Sequence, residues 1–283
     1  MKTKQRLFLM VLCVLVGTIA ASAQQRMGEK QRFIKQSYQL GLGGTNVLDT
    51  YLTPEHFTGP GLTLLSTTER QLAQSCWSTM VRHQLHISSS KDQAGNKSML
   101  EGTYNLAIGR HHAWSLLGGS LTLQAGALAS VGLGFLYNTR NNANNPAQAR
   151  LSLAIMPSGI ATYRLPWLKE RFTASYEIDL PLAGMMFSPN YGQSYYEIFA
   201  RGNYDHNVVV TTFVSAPTFR QQFRVGYDVT RGTTLTVGYL GDYQQAHVNN
   251  LKQHVWNNSF TIGMVRRFCI ETMKRPKNQA PRP

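Results

Sequence analysis

The amino-acid sequence predicts an all-β chain: a transmembrane, antiparallel, up-and-down β-barrel of about 12 strands, within roughly 10 to 14. Three observations carry that prediction. Between residues 121 and 137 the odd positions Leu121, Leu123, Ala125, Ala127, Ala129, Val131, Leu133, Phe135 and Tyr137 are apolar, and the even positions are mostly small or polar. Successive side chains of a strand point to opposite faces, so this segment has one apolar and one small, hydrophilic face, over about three times the usual strand length. The same alternation recurs along the chain between turn-rich breaks. Mean hydropathy is only −0.24, which argues against a helical membrane protein; a barrel wall hides half of its residues from lipid and keeps a polar average. With 42% hydrophobic residues the chain is not of disordered composition.

The N-terminus reads as a secretory signal peptide. Lys2, Lys4 and Arg6 form a basic region, residues 7–20 are apolar apart from Gly17 and Thr18, and Ala21-Ser22-Ala23 is a small-residue cleavage site. The expected organisation is a signal peptide over 1–23, a barrel over 24–268 and a basic, Pro-containing tail over 269–283. The leader addresses the chain to export and, for a barrel, to the cell outer membrane. Cys76 and Cys269 of the exported part are expected to be unpaired packing residues.

The strands follow in order. Tyr38, Leu40 and Leu42 mark the first, and a loop through Pro54, Gly59 and Pro60 leads to a second near Leu62. From Trp77, Thr79, Val81, Leu85 and Ile87 oppose Arg82, Gln84, His86 and Ser88; a polar loop at 89–97 precedes the row Leu100, Tyr104, Leu106, Ile108. Arg110-His111-His112 reads as a short break before the long strand, and 138–148 as an Asn-rich loop. Next, Leu151, Leu153, Ile155, Ala161 and Tyr163 oppose Arg150, Ser152, Ser158, Thr162 and Arg164, and Phe172, Ala174, Tyr176, Ile178, Leu180 and Leu182 oppose Thr173, Ser175, Glu177 and Asp179. Further strands are expected at 195–204, 208–216, 223–230, 233–243 and 259–268. Long breaks (45–60, 89–97, 138–148, 184–194, 245–257) alternate with short ones (110–112, 205–207, 231–232), the asymmetry of a barrel with short periplasmic turns and long external loops. Tyr137, Tyr163, Tyr204, Tyr239, Tyr243 and Phe268 would supply interface girdles.

The last strand, Ser259-Phe260-Thr261-Ile262-Gly263-Met264-Val265-Arg266-Arg267-Phe268, resembles the terminal assembly strand of Gram-negative outer-membrane barrels in Thr261, Gly263 and the closing Phe268. Arg266 stands where a hydrophobic residue is usual. Over most of the exported chain the sequence is similar to an uncharacterised outer-membrane β-barrel family of Gram-negative bacteria, a domain of unknown function. The signal peptide, the run from Tyr38 through Gly41, Gly43 and Gly44 to Asp49, and the Gly/Tyr strand texture carry that resemblance. It implies architecture and address, with barrel assembly machinery as a partner, and no chemistry.

Arg82, His86, Glu101, Arg150, Arg164, Glu177, Asp179, Glu197, Arg201, Arg224, Asp228 and Asp242 are expected to face the lumen. They would either select solutes by charge or fill a narrow bore with ion pairs; mixed signs favour the second, because a charge buried without a partner is costly. His86, Ser88 and Glu101 also resemble the His, Ser and Glu used by outer-membrane lipid deacylases, where a base activates the serine and a carboxylate orients the base. The leading expectation is a non-enzymatic barrel, structural or passing small solutes. The alternatives are that lipid hydrolase and a secreted soluble barrel holding an apolar ligand, which would turn its apolar rows inward.

No cofactor or metal is expected. His111 and His112 are adjacent on an extended segment and point apart, and no G-x-S-x-G, Walker, Rossmann or zinc-ligand pattern occurs. Removing Lys2, Lys4 and Arg6 lowers the net charge of +14 by 3, to +11. The excess is spread over strands, loops (Lys91, Lys97, Arg140) and tail, which suits outer-membrane lipids and lipopolysaccharide phosphates rather than nucleic acid.

Overall fold

The computed structural model describes residues 31–139, 146–166 and 170–270. The expected signal peptide, most of the C-terminal tail and Arg140 lie outside them. The described chain forms twelve strands: β1 (Arg32–Asp49), β2 (Thr53–Leu72), β3 (Trp77–Lys91), β4 (Ser98–Leu116), β5 (Leu121–Asn138), β6 (Ala147–Arg164), β7 (Phe172–Asp179), β8 (Ala183–Phe187), β9 (Val208–Thr212), β10 (Phe219–Thr230), β11 (Thr233–Val248) and β12 (Leu251–Ile270). One short α-helix, α1 (Tyr195–Phe199), joins β8 to β9.

Ten of these strands close a barrel, in the order β5-β4-β3-β2-β1-β12-β11-β10-β7-β6, with β6 returning to β5. All the ladders are antiparallel, and β1 on β12 joins the two ends of the chain over 32–49 and 253–270. The expected strand total is met, but β8 and β9 stand outside the closed wall. Toward the end that holds the termini, β6 pairs with β7, and β7 with β10. Toward the other end β6 pairs with β8, and β8 with β9, and past Tyr243 the edge of β11 away from β12 has no strand neighbour. Residues 213–218 partly fill that seam: the Ser215 carbonyl accepts from the His247 amide (2.8 Å) and the Thr218 hydroxyl donates to the Gln245 carbonyl (3.2 Å).

The alternation of the sequence sets the two faces. Leu40, Leu42, Leu64, Leu85, Ile87, Leu133, Phe135, Leu235, Val237, Phe260 and Ile262 are exposed on the outside of six strands. Ser37, Gln39, Thr63, Gln84, His86, Glu101, Gln222, Asn257 and Thr261 are buried inside. Apolar rows outside and polar rows inside are the arrangement of a lipid-facing wall, and the reverse of what the soluble-barrel alternative requires. A bilayer takes about 9–11 residues of a tilted strand, whereas β1, β2 and β12 have 18 to 20. Their surplus projects beyond the apolar band, and its outer face is polar: His254 Nε2 meets Asn46 Oδ1 at 2.7 Å.

Several expected breaks are corrected. Arg110-His111-His112 lies within β4, where alternation continues: His111 is buried in the bore, and Arg110 and His112 stand against the Trp77 ring outside. The chain turns instead at Leu117, Gly118 and Gly119, all at positive φ. Residues 45–60 and 245–257 are mostly strand, joined by tight turns at 50–52 and at Asn249-Asn250. Both asparagines have positive φ (51° and 59°), which a two-residue hairpin turn needs and Asn tolerates. The expected strand at 195–204 is α1 and loop, taking Tyr204 off the wall; that at 208–216 stops at Thr212. The expected loop at 184–194 begins with strand β8, and the break at 205–207 falls inside the long β8–β9 connection. Cys76 and Cys269 are free, as expected, but exposed rather than packed.

Candidate functional site: the bore

β3 stands across the barrel from β7 and β10, and their inward side chains meet directly. Arg82 of β3 donates to Glu177 and, at 2.6 Å, to Asp179 of β7. Arg220 of β10 donates to the same two carboxylates at 2.8 and 3.3 Å, and its Nε donates to Gln84 of β3 at 3.0 Å. Arg224 pairs with Glu177 at 3.4 Å. Gln84 also donates to Asp242 of β11, and Gln222 to Gln39 of β1 at 2.6 Å. These groups are buried, except half-buried Arg224. Two carboxylates shared by three guanidiniums, with the Gln84 and Gln222 amides taking two further donors of Arg220, is the kind of compensation that lets charges persist out of water.

Apolar side chains close further levels. Met80, Ala107, Leu128, Met156 and Ile160 pack within the bore on the β3–β6 side. Near the far end, Val47, Leu52, Phe57, Met99, Leu136 and Val255 form a second plug with Tyr51 against it. Tyr51 donates to the Gln193 carbonyl (2.9 Å), Tyr195 of α1 donates to Gln148 (2.9 Å), and the two rings meet edge to face at 5.9 Å. Burial pushes the phenols of Tyr51 and Tyr195 up to about 12. The α1 connection is thus tied over the mouth. Ser194 caps α1 and Glu197 bonds back to the Ser194 amide, and those hydrogen bonds hold the Glu197 carboxyl below its ordinary range.

The structure brings Arg82, Glu177, Asp179, Arg224 and Asp242 together as a single network. His86, Ser88 and Glu101 also meet inside the bore, nearer the mouth. The Ser88 hydroxyl donates to Glu101 at 3.3 Å, and His86 Nε2 lies 3.4 Å from the same carboxylate oxygen. The His86 ring contacts the Thr45 and Thr63 hydroxyls (3.0 and 2.9 Å) and has no hydrogen bond to Ser88. Glu101 thus stands between serine and histidine, the reverse of a serine–base–carboxylate relay. Gly61 makes room for the ring: a Cβ there would fall 2.6 Å from His86 Cε1.

Arg164 and Asp228 keep the inward parity but sit at the rim on the side of the chain's two ends, where Asp228 pairs with Arg267 at 3.4 Å. Glu197 and Arg201 do not face the lumen. Glu197 caps α1, and exposed Arg201 lies over the Tyr196 ring at 5.6 Å. Arg220 was not among the expected lumen residues, although Phe219, Gln221 and Phe223 opposite Arg220, Gln222 and Arg224 are the alternation that places it inside. In the terminal strand Thr261 is buried inside, Phe268 is exposed outside, and Gly263 lets β1 approach: a Cβ there would lie 2.3 Å from the Tyr38 carbonyl oxygen.

A family model described as a protein of unknown function, DUF3316, matches residues 7–275. The chain belongs to that family. No curated protein sequence matches it. Similar solved structures include the Escherichia coli outer membrane protease OmpT (9% identity, 86% of this chain and 99% of that one, TM-score 0.46). Others are the β domain of the Bordetella autotransporter BrkA (10%, 84% and 100%, TM-score 0.41) and Neisserial surface protein A (10%, 83% and 97%, TM-score 0.37). The DUF3316 chain is therefore placed in a family without assigned chemistry, and its wall and bore are described by its own residues.

Proposed function

We propose that the protein is a non-enzymatic outer-membrane β-barrel whose bore is closed, a structural wall rather than a route for solutes. The observation that carries this reading is the Arg82–Glu177/Asp179–Arg220 layer, bonded across the bore from β3 to β7 and β10. The apolar plugs and the lid of α1 support it. In this reading the apolar exterior faces outer-membrane lipid, Lys91 and Lys97 lie at the rim near lipopolysaccharide phosphates, and β12 is the strand offered to the assembly machinery. Lys97 is already engaged by Glu55 at 2.8 Å, which leaves Lys91 as the stronger of the two phosphate contacts.

The reading is tested by liposome swelling with the refolded protein and arabinose. Swelling no faster than that of protein-free vesicles is expected; rapid swelling would show a passage. A lipid-hydrolysis assay addresses the enzymatic alternative. No ester cleavage above background is expected, and cleavage lost in Ser88→Ala would replace this reading with the hydrolase.

A further inference from the structure

On the mouth side of the ion-pair layer lies a cavity of about 140 Å³, lined chiefly by β6, β8, β9, β11 and the seam segment 213–218, with single residues or pairs from β3, β4, β5, β10 and β12 across the bore. Its volume far exceeds the roughly 10–15 Å³ that one water needs. Part of its lining is apolar: Ala154, Met156, Pro181, Ala183, Met186 and Ala216. The polar part holds Arg150, Gln244 and Gln253, together with Arg82, Gln84, Arg220 and Asp242, which belong to the bonded layer.

Arg150 differs from the arginines below it. Arg82 and Arg220 each hold two carboxylates and Arg224 holds one. Arg150 forms no ion pair among the described residues; it makes a long 3.5 Å contact to Gln244 Oε1, and its Nη1 is buried without a partner. Gln253 Oε1, on the same cavity, is likewise unpartnered. The carboxylate that shares the lining, Asp242, is taken by Gln84 and Gln244. Asp49, at the end of β1, acts on Arg150 only at a distance.

We propose that this cavity is a binding site for a small monocarboxylate with a short apolar chain. The carboxylate bonds the Arg150 guanidinium, and the chain lies against Met156, Pro181, Met186 and Ala216. A guanidinium with no carboxylate at ion-pair distance matches a monoanion; a phosphate brings up to two charges and needs more donors than the site holds free. Entry is at the seam, where Thr212, Ala216, Thr218 and Gln245 border the cavity and loop contacts replace a strand ladder. The site lies above the closed layer and does not depend on conduction.

Isothermal titration of the refolded protein with pentanoate tests this. Wild type is expected to bind. Arg150→Gln is expected to weaken binding at least tenfold, and Arg201→Gln, on the outside of the lid, to leave it unchanged. 1-Pentanol is expected to bind at least tenfold more weakly than pentanoate, and inorganic phosphate not to displace it. Heat-modifiable gel mobility shows that each variant is folded. Absence of binding to wild type, equal binding to folded Arg150→Gln, or displacement by phosphate would overturn the proposal.

Discussion

Arg82 and Arg150 both project into the bore, on β3 and β6, yet their surroundings differ in kind. Arg82 is bonded to two carboxylates from the opposite wall, and those carboxylates are shared with Arg220 and Arg224. Arg150 has a long contact to an amide and an unpartnered Nη1 beside a cavity. The difference follows from the wall. Where β7 and β10 continue the ladder, opposite faces come within bonding reach and charges neutralise one another. Where β8 and β9 leave β11, the wall loosens, and one charge stays without a counter-ion. One region is built for closure and the other for occupancy.

The contrast is broken most readily at Arg82. Arg82→Ala leaves two buried carboxylates sharing fewer guanidiniums, and a loss of about 3–5 kcal/mol is expected, read by urea unfolding in lipid vesicles. A loss under about 1 kcal/mol would mean that the layer is wet and adaptable. Next is Gly263→Val, which forces a side chain against the Tyr38 carbonyl; about 1–3 kcal/mol and a lower yield of the heat-modifiable form are expected. Ser194→Ala removes the cap of α1, at about 1 kcal/mol, seen as faster hydrogen exchange confined to 188–207.

The lid also has a pH signature. With the phenols of Tyr51 and Tyr195 raised to about 12 from an ordinary value near 10, their contribution is complete below pH about 10 and is lost as pH rises toward 12. Absorbance at 295 nm should show a late-titrating tyrosine fraction, with exchange of 188–207 accelerating over that window. A uniform titration near pH 10 would show that the lid does not bury them. The smallest effect is expected at Arg150→Gln: a stability equal to wild type or up to about 1 kcal/mol higher, because the replaced charge has no partner to strand. A loss like that of Arg82→Ala would erase the distinction.

Most of the wall was legible in the sequence because a period of two fixes both faces at once. The rows around Leu85, Leu133 and Tyr176 face out as read, and Arg82, Glu177 and Asp179 face in. What was not legible has particular causes. Arg110-His111-His112 looks like a turn by composition, yet each side chain finds a suitable face, so the strand runs on. Residues 45–60 carry Pro and Gly, which read as loop; in the barrel Gly59 allows close backbone approach to Ser89 and Pro60 stands on the outer face. Glu197 and Arg201 were assigned inward by extending alternation into a segment where Ser194-x-x-Glu197 is a capping box, a local signal for a helix start. The cavity beside Arg150 depends on β9 leaving β11, a matter of pairing between distant segments that one strand's pattern does not contain.

Single-channel recording from planar bilayers tests closure of the bore most directly. The cross-bore layer predicts that wild-type protein, inserted and folded, gives no regular conductance steps in molar potassium chloride. Reproducible ohmic steps from wild type would contradict it, since they require a continuous aqueous path past Arg82, Glu177, Asp179 and Arg220.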